Sequence, residues 1–482
     1  MDLFGSAYQT VVITYIVVSL LLFVLAIYLI RKKISTEKIF LILMLGMGGL
    51  LLIAEPIFIT PDERTHYANA YDISNYIFGE ECSIGASTRR KVDWDLNYDG
   101  EVSTKEGYDE FLSSFVGEQE KEAVYFFDGN KTVVSRILYL FCGLGITLAR
   151  LLGLNFGWLA VIGEACNLIF YSLMMYCSAK LMPVGKRIIY VIGLLPICLQ
   201  EAASYSYDAV IIPCGICLIA LALSIRKKTV TLNWKTYALF GFCALVLFVA
   251  KGKAYVPLIL GALIIVYQKE WFKRQNKKIW IGAIGLAVMA VALCFTIGHG
   301  AQNIYTTLIT VPVIQRTGEF TNPPIYYLTH PIETIAIYFN TLMVNGSHYV
   351  YQILGGALGQ FQIFVWKPIV FGWLVLLVFA AVRHKGEEWL PGKLRSWLGA
   401  LSIITVLLTM FAMLVYETHS DAVVIEAYQG RYVLPVLLAA LLAFGFWKVP
   451  IIDGEKYKEE YFLVAADGLL FAAVLSFLLQ VP

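Results

Sequence analysis

The feature that most constrains this chain is a succession of apolar runs about 20 residues long, separated by short polar stretches. Coiled as a helix, such a run matches a hydrocarbon core of roughly 30 Å. Only helices and closed barrels satisfy their backbone polar groups in lipid, and the runs lack the period-two alternation of barrel strands. They lie near 10–30, 38–60, 156–178, 187–204, 206–226, 235–251, 253–268, 279–298, 362–383, 397–416, 431–448 and 461–481, which gives about twelve candidate spans. A thirteenth run, 133–154, is ambiguous. With 59% hydrophobic and 15% charged residues, the chain departs from soluble composition in the same direction.

The net charge of +2 gives no pull toward nucleic acid. Eight of the nine cysteines fall in apolar segments, Cys82 being the exception, and the Cys214/Cys217 pair lacks the four ligands of a structural zinc site. The first run has no basic residues before it and no small-residue cleavage pattern after it, so it reads as a span rather than a signal peptide.

Sidedness follows from Lys and Arg in short loops. The clusters are Arg31–Lys33, Lys180 to Arg187, Arg226–Lys228, Lys269 to Lys278, Arg383 to Arg395, and Lys448 to Lys458. All fall on one side only if 133–154 does not cross, which makes that run an interfacial or re-entrant helix on the outer face. The domain reading is then two spans in 1–60, an outer loop in 61–155, a bundle in 156–298, a second outer loop in 299–361 and C-terminal spans in 362–482. Residues 61–131 hold sixteen Asp/Glu against seven Lys/Arg, so chemistry is expected on the outer face. In 299–361, Asn322-Pro323-Pro324, interfacial tyrosines and Gly355-Gly356 point to helices lying on the membrane as a lid.

Four motifs could carry that chemistry. Pro61-Asp62-Glu63-Arg64-Thr65-His66 follows the second run, with Asp62 and His66 one helical turn apart. A carboxylate at a low-dielectric boundary can act as a general base, although solvated acids at a helix start would look the same. Ser204-Tyr205-Ser206-Tyr207-Asp208 places Asp208 at the outer end of a span, with Glu201 near the end of the one before. Lys251-Gly252-Lys253-Ala254-Tyr255 breaks the positive-inside pattern, and suits either an anionic partner or snorkelling lysines. Gln429-Gly430-Arg431-Tyr432 brings a planar guanidinium that matches phosphate oxygens, or simply an interfacial anchor.

A fifth pattern is soluble in character. Asp95, Asn97, Asp99, Gly100, Glu101, Ser103 and Glu106 satisfy D-x-[DN]-x-[DN]-G-x5-E, the single-loop calcium signature. Asp95, Asn97 and Asp99 supply side-chain oxygens, Glu101 its carbonyl, Ser103 the ninth position and Glu106 a bidentate carboxylate. A structural Ca²⁺ bracing the outer loop is expected, although no second hand is visible to pair with it. No nucleotide-binding glycine loop is present, which argues against an ATP-driven pump.

Taken in order, Pro61-Asp62-Glu63 with His66 and Ile73-Ser74, then Ser206-Tyr207-Asp208, then Lys251 or Lys253 with Tyr255 and Pro257, then Gln429-Gly430-Arg431-Tyr432 with Pro435 resemble a family of bacterial polytopic proteins of undefined activity within the GT-C glycosyltransferase superfamily. The resemblance covers most of residues 55–440. It implies an all-α, GT-C-like bundle of about twelve spans with two large outer-face loops, in a bacterial plasma membrane with the active site on the extracytoplasmic side. It implies a sugar donor carried on polyprenyl phosphate and a glycan acceptor. Asp62, with Glu63 second, would be the carboxylate that deprotonates or orients the acceptor. His66 would orient it and Asp208 would contact the acceptor. Lys251, Lys253, Tyr255, Gln429, Arg431 and Tyr432 would hold the donor phosphate. The family pattern has Trp where Gln360 follows Gly359, and the calcium-type loop looks like an insertion. Whether catalysis uses a divalent metal stays open. The alternatives are a polymerase or ligase of lipid-linked glycans, a transporter or flippase of such lipids, and a binding scaffold. A transporter should show internal repeats and broken midplane helices, and no convincing repeat is present.

Overall fold

The computed structural model describes residues 6–80, 86–90, 93, 104–116, 123–127, 135–267, 314–316, 319–385, 387–445, 448–453 and 458–482. In chain order the first elements are α1 (Ala7–Arg31), α2 (Thr36–Ala54), α3 (Glu63–Phe78), β1 (Ala86–Arg90), α4 (Lys105–Ser113), β2 (Ala123–Phe127), α5 (Leu140–Leu151), α6 (Phe156–Leu181), α7 (Lys186–Gly193) and α8 (Pro196–Ala202). Then come α9 (Asp208–Lys227), α10 (Trp234–Val249), α11 (Val256–Tyr267), β3 (Ile314–Arg316), β4 (Glu319–Thr321), α12 (Pro324–Thr329) and α13 (Pro331–Ile353). The chain closes with β5 (Ala357–Leu358), β6 (Ile363–Phe364), α14 (Lys367–Ala381), β7 (Arg383–Lys385), α15 (Gly392–Tyr416), α16 (Leu434–Ala443), β8 (Lys448–Asp453) and α17 (Glu459–Leu478). The strands form two-stranded ribbons, so the fold among the described residues is all-α in character.

Among the described residues six helices are long and apolar enough to cross a bilayer: α1, α2, α6, α9, α15 and α17. The shortest, α2, has 19 residues, or about 28 Å of helix, close to the hydrocarbon thickness. Shorter apolar helices are α10, α11, α14 and the stretch Gly430–Ala443. The expected run at 279–298 lies outside the described residues. The expected single span at 187–204 is corrected: it is two short helices, α7 and α8, broken at Leu194-Leu195. Pro196 explains the break, since it has no N–H to donate and pushes the residue before it out of the helical region. The ambiguous run 133–154 opens as a 3-10 turn over Ser135–Tyr139 and continues as α5, of 12 residues.

The chain divides into two compact units. The first comprises 1–213, 354–387 and 448–482. In it α1 packs against α2 and α17, with the Tyr15 ring stacked on Phe471. The Tyr8 hydroxyl donates to the Leu478 carbonyl at 2.6 Å. One end gathers several basic loops: Lys186 pairs with Glu37 at 2.5 Å and Arg187 grips Glu387 at 2.6 and 2.9 Å. Arg187 also donates to the carbonyls of Ala380 and Val382, at the end of α14. The loops after α1, before α7 and after α14 therefore share one end of this unit.

The second unit comprises 214–353 and 388–447. Here α15 and α16 pack together, and α13 packs against the 3-10 turn Gly430–Val433. Tyr338 donates to the Leu407 carbonyl at 2.9 Å, and Tyr327 to that of Leu414 at 3.4 Å. The opposite face of α13 presents Ile332, Ile335, Phe339, Leu342 and Met343 to the surroundings. Their three- and four-residue spacing is an apolar stripe suited to lipid.

Candidate functional site

Charged and aromatic side chains gather in two clusters, one in each unit. In the first unit, α2 stops at Glu55 because Pro56 follows. Residues 55–62 then turn sharply, with Phe58 at φ +75°. Asp62 is the N-cap of α3, yet its backbone is left-handed (φ 64°, ψ 8°) and its side chain makes no capping hydrogen bond. A cap residue ordinarily has extended backbone, and its side-chain oxygen accepts from the helix N–H groups. Asp62 is exposed, so its carboxylate projects from a strained position at the surface of the unit.

Glu63, the next residue, is the opposite case. It is 2% exposed. Its Oε2 accepts from the backbone N–H of Phe58 at 2.8 Å and of Thr60 at 3.1 Å. Its Oε1 accepts from the N–H of Tyr205 at 2.9 Å. Burial pushes this carboxyl up to about 7; the three N–H donors oppose the shift, and nearby Glu201 adds to it.

One turn into α3, the Nδ1 of His66 lies 2.9 Å from the Tyr139 hydroxyl. The Tyr207 ring meets the imidazole edge-on with centroids 4.6 Å apart. Both Asp208 and Asp62 act electrostatically on Tyr139, which places both acids near this phenol. Asp208 is 1% exposed, and its N–H donates to the Ser206 hydroxyl at 3.2 Å. Asn167 on α6 holds that loop by donating to the carbonyls of Ser204 and Ser206. Asp62, His66 and Asp208 therefore share one neighbourhood, drawn from α3 and the start of α9. Glu55, Glu164 and Glu201 are buried behind it.

The segment after α3 is tied to this neighbourhood. Tyr71 donates to Asp93 Oδ2 at 2.7 Å, and Arg90 forks onto the same carboxylate at 2.6 and 2.8 Å. Arg150, in the last turn of α5, donates to Ser74, Asn75 and Glu80 near the end of α3. Tyr139, Tyr207, Arg150 and the Arg90–Asp93 pair were not among the residues expected from sequence. Two arginines, Arg136 and Arg150, interrupt the apolar run 133–154 and are the sequence signal there.

In the second unit, Lys251, Gly252 and Lys253 are three consecutive left-handed residues (φ 42°, 58° and 69°). This turn carries Lys251 Nζ over the Tyr432 ring, 3.9 Å from its centroid. Lys253 Nζ sits instead over Phe248, at 5.5 Å. The Tyr255 hydroxyl donates to the Tyr432 carbonyl at 2.9 Å. Gly430 N–H donates to Gln352 Oε1 at 2.7 Å. Arg431 is 1% exposed, with its guanidinium 5.8 Å from the Tyr432 ring. Lys251, Tyr255 and Arg431 thus lie about Tyr432. Gln429 is adjacent in the chain, and Lys253 points elsewhere.

Of the calcium-type loop, Asp95, Asn97, Asp99, Glu101 and Ser103 lie outside the described residues. Glu106 is exposed in the first turn of α4, whose cap Thr104 accepts from the Gly107 N–H at 3.2 Å. Among the described residues no group of three or more His, Cys, Asp or Glu is arranged to hold a metal.

Six membrane-length apolar helices, with further short ones, define a multi-pass membrane protein of the all-α class. The chain belongs to the family described as predicted membrane protein (DUF2142), whose model matches residues 45–440. No curated protein and no solved structure matches it.

Proposed function

We propose that this protein is a glycosyltransferase of the GT-C type. It would move a sugar from a polyprenyl-phosphate carrier to a cell-surface glycan on the outer face of a bacterial plasma membrane. In this reading the bundle has about twelve spans, and 61–155 and 299–361 form its outer loops. Asp62 is the base that takes the acceptor proton. His66, held by Tyr139 and Tyr207, orients it, and Asp208 contacts the acceptor. Lys251 and Arg431, with Tyr255, Gln429 and Tyr432, bind the donor phosphate and offset charge on the leaving group.

The observation that carries the reading is Asp62: an exposed carboxylate on a left-handed backbone, released from capping duty, beside a histidine held by two tyrosines. A buried arginine beside an aromatic-backed lysine supports the donor half, because guanidinium and ammonium groups are the usual partners of phosphate. The test of that half is lipid binding. Polyprenyl phosphate added to protein in nanodiscs should be retained by wild type in native mass spectrometry. Arg431→Ala should weaken retention about 10-fold or more, the loss of one charge-assisted contact. Equal retention by the variant would remove Arg431 from the donor site.

A structural Ca²⁺ on Asp95, Asn97, Asp99, Glu101, Ser103 and Glu106 is part of the same proposal. Calorimetric titration of the whole protein should give binding at or below millimolar Ca²⁺, the class expected of extracellular modules. Asp95→Ala should abolish the heat. A silent titration of wild type would retire the site.

A further inference from the structure

We propose that Glu63 is a positioning residue whose buried carboxylate locks the loop carrying Asp62 to the loop carrying Asp208. The proposal rests on the reading above, in which Asp62 is the base. From sequence alone Asp62 is the first choice and Glu63 the second, by position only. The hydrogen-bond geometry separates them.

The two oxygens of Glu63 divide their work by loop. Oε2 takes the N–H groups of Phe58 and Thr60, in the turn that leads into Asp62. Oε1 takes the N–H of Tyr205, three residues before Asp208 and 142 residues away along the chain. With both oxygens turned inward and the residue 2% exposed, Glu63 is out of reach of an acceptor hydroxyl, which a general base must touch. Asp62 is exposed and makes no capping bond.

The lock has strain to hold. Phe58 and Asp62 both sit at positive φ, and Phe58 itself supplies one of the two N–H groups that Oε2 grips. Non-glycine residues persist in such conformations only where the surroundings over-determine them. Gln360 adds a second grip by donating to the Phe58 carbonyl at 3.1 Å. The tie is also delicate, because burial and the nearby Glu201 carboxyl both work against the ionised form of Glu63. Its ionised form is held chiefly by the three N–H groups. A glutamine here keeps one acceptor oxygen and turns an NH₂ toward the other loop, so it can hold one loop but not both.

The test uses the full chain in nanodiscs with Glu63→Gln, Glu63→Ala and Asp62→Asn. Hydrogen exchange at Phe58, Thr60 and Tyr205 should quicken about 10-fold or more in one of the two loops for Glu63→Gln and in both for Glu63→Ala, since charge-assisted bonds are lost. Asp62→Asn should leave all three amides protected. An impermeant maleimide should react with Asp62→Cys at a rate that changes several-fold, on the order of one lost hydrogen bond, when Glu63→Gln is added. In sugar transfer, Glu63→Gln should lower the plateau of the pH profile and leave its acid limb in place. Unchanged exchange in Glu63→Ala, or unchanged labelling at position 62, would overturn the proposal. So would an acid limb erased by Glu63→Gln and kept by Asp62→Asn. If wild type transfers no sugar, the functional reading fails, and exchange and labelling still decide whether Glu63 sets the Asp62 side chain.

Discussion

Asp62→Asn is expected to cut sugar transfer by about 10²–10⁴-fold, the range a positioned general base supplies, while leaving the protein folded. The substitution is chosen for the backbone it must occupy. Asp62 lies at φ 64°, ψ 8°, and asparagine is among the few residues that visit this left-handed region readily. The side chain makes no capping hydrogen bond, so the change removes no helix cap. What is lost is the proton-accepting oxygen beside His66. Melting temperature and hydrogen exchange at Phe58, Thr60 and Tyr205 should match wild type. A variant that fails to fold would indicate that the carboxylate has a structural task. A variant that transfers at the wild-type rate would remove Asp62 from the reaction.

Gly430→Ala should be the most damaging small change in the second unit. A methyl group at this position would sit 2.4 Å from the Tyr349 carbonyl oxygen and 3.0 Å from Gln352 Cβ. The first obstacle is backbone, so it cannot swing aside, and overpacking of this kind costs about 1–3 kcal/mol. Relief requires α13 to move away from the 3-10 turn Gly430–Val433. That movement would pull the Gly430 N–H from Gln352 and displace Arg431, so polyprenyl phosphate retention should fall together with stability. Gly346→Ala on α13 is the control, because nothing lies within 4 Å of where its methyl group would stand. There the gain of a better helix former should stabilise by about 0.5–1 kcal/mol. Equal thermal stability of the two variants would show that the close approach at Gly430 is not rigid.

Much of the architecture was legible because lipid imposes a simple rule: helices of about 20 apolar residues. The runs at 10–30, 38–60, 156–178, 206–226, 397–416 and 461–481 correspond to α1, α2, α6, α9, α15 and α17. Hydropathy misread 187–204, since its apolar content is continuous while Pro196 interrupts the backbone. The site was legible only in part. Local signals, such as a carboxylate one turn from a histidine or a lysine-glycine-lysine turn, lie within a few residues of each other. The partners that give each group its task do not. Glu63 is bound by Tyr205, His66 by Tyr139 and Gly430 by Gln352. No spacing rule connects such distant positions, and so sequence ranked Asp62 and Glu63 by adjacency alone. Arg150 was equally hidden, because its partners on α3 and Glu80 are more than sixty residues upstream.

The central claim is that the outer acidic rim transfers sugar from a lipid carrier. It is tested most directly in proteoliposomes with a polyprenyl-phosphate sugar confined to the outer leaflet. Wild-type protein should release carrier phosphate in step with glycosylation of an added glycan acceptor. Asp62→Asn should bind the donor and release almost none. Release that is equal in the two proteins, or donor that reaches the inner leaflet with its sugar still attached, would contradict the account.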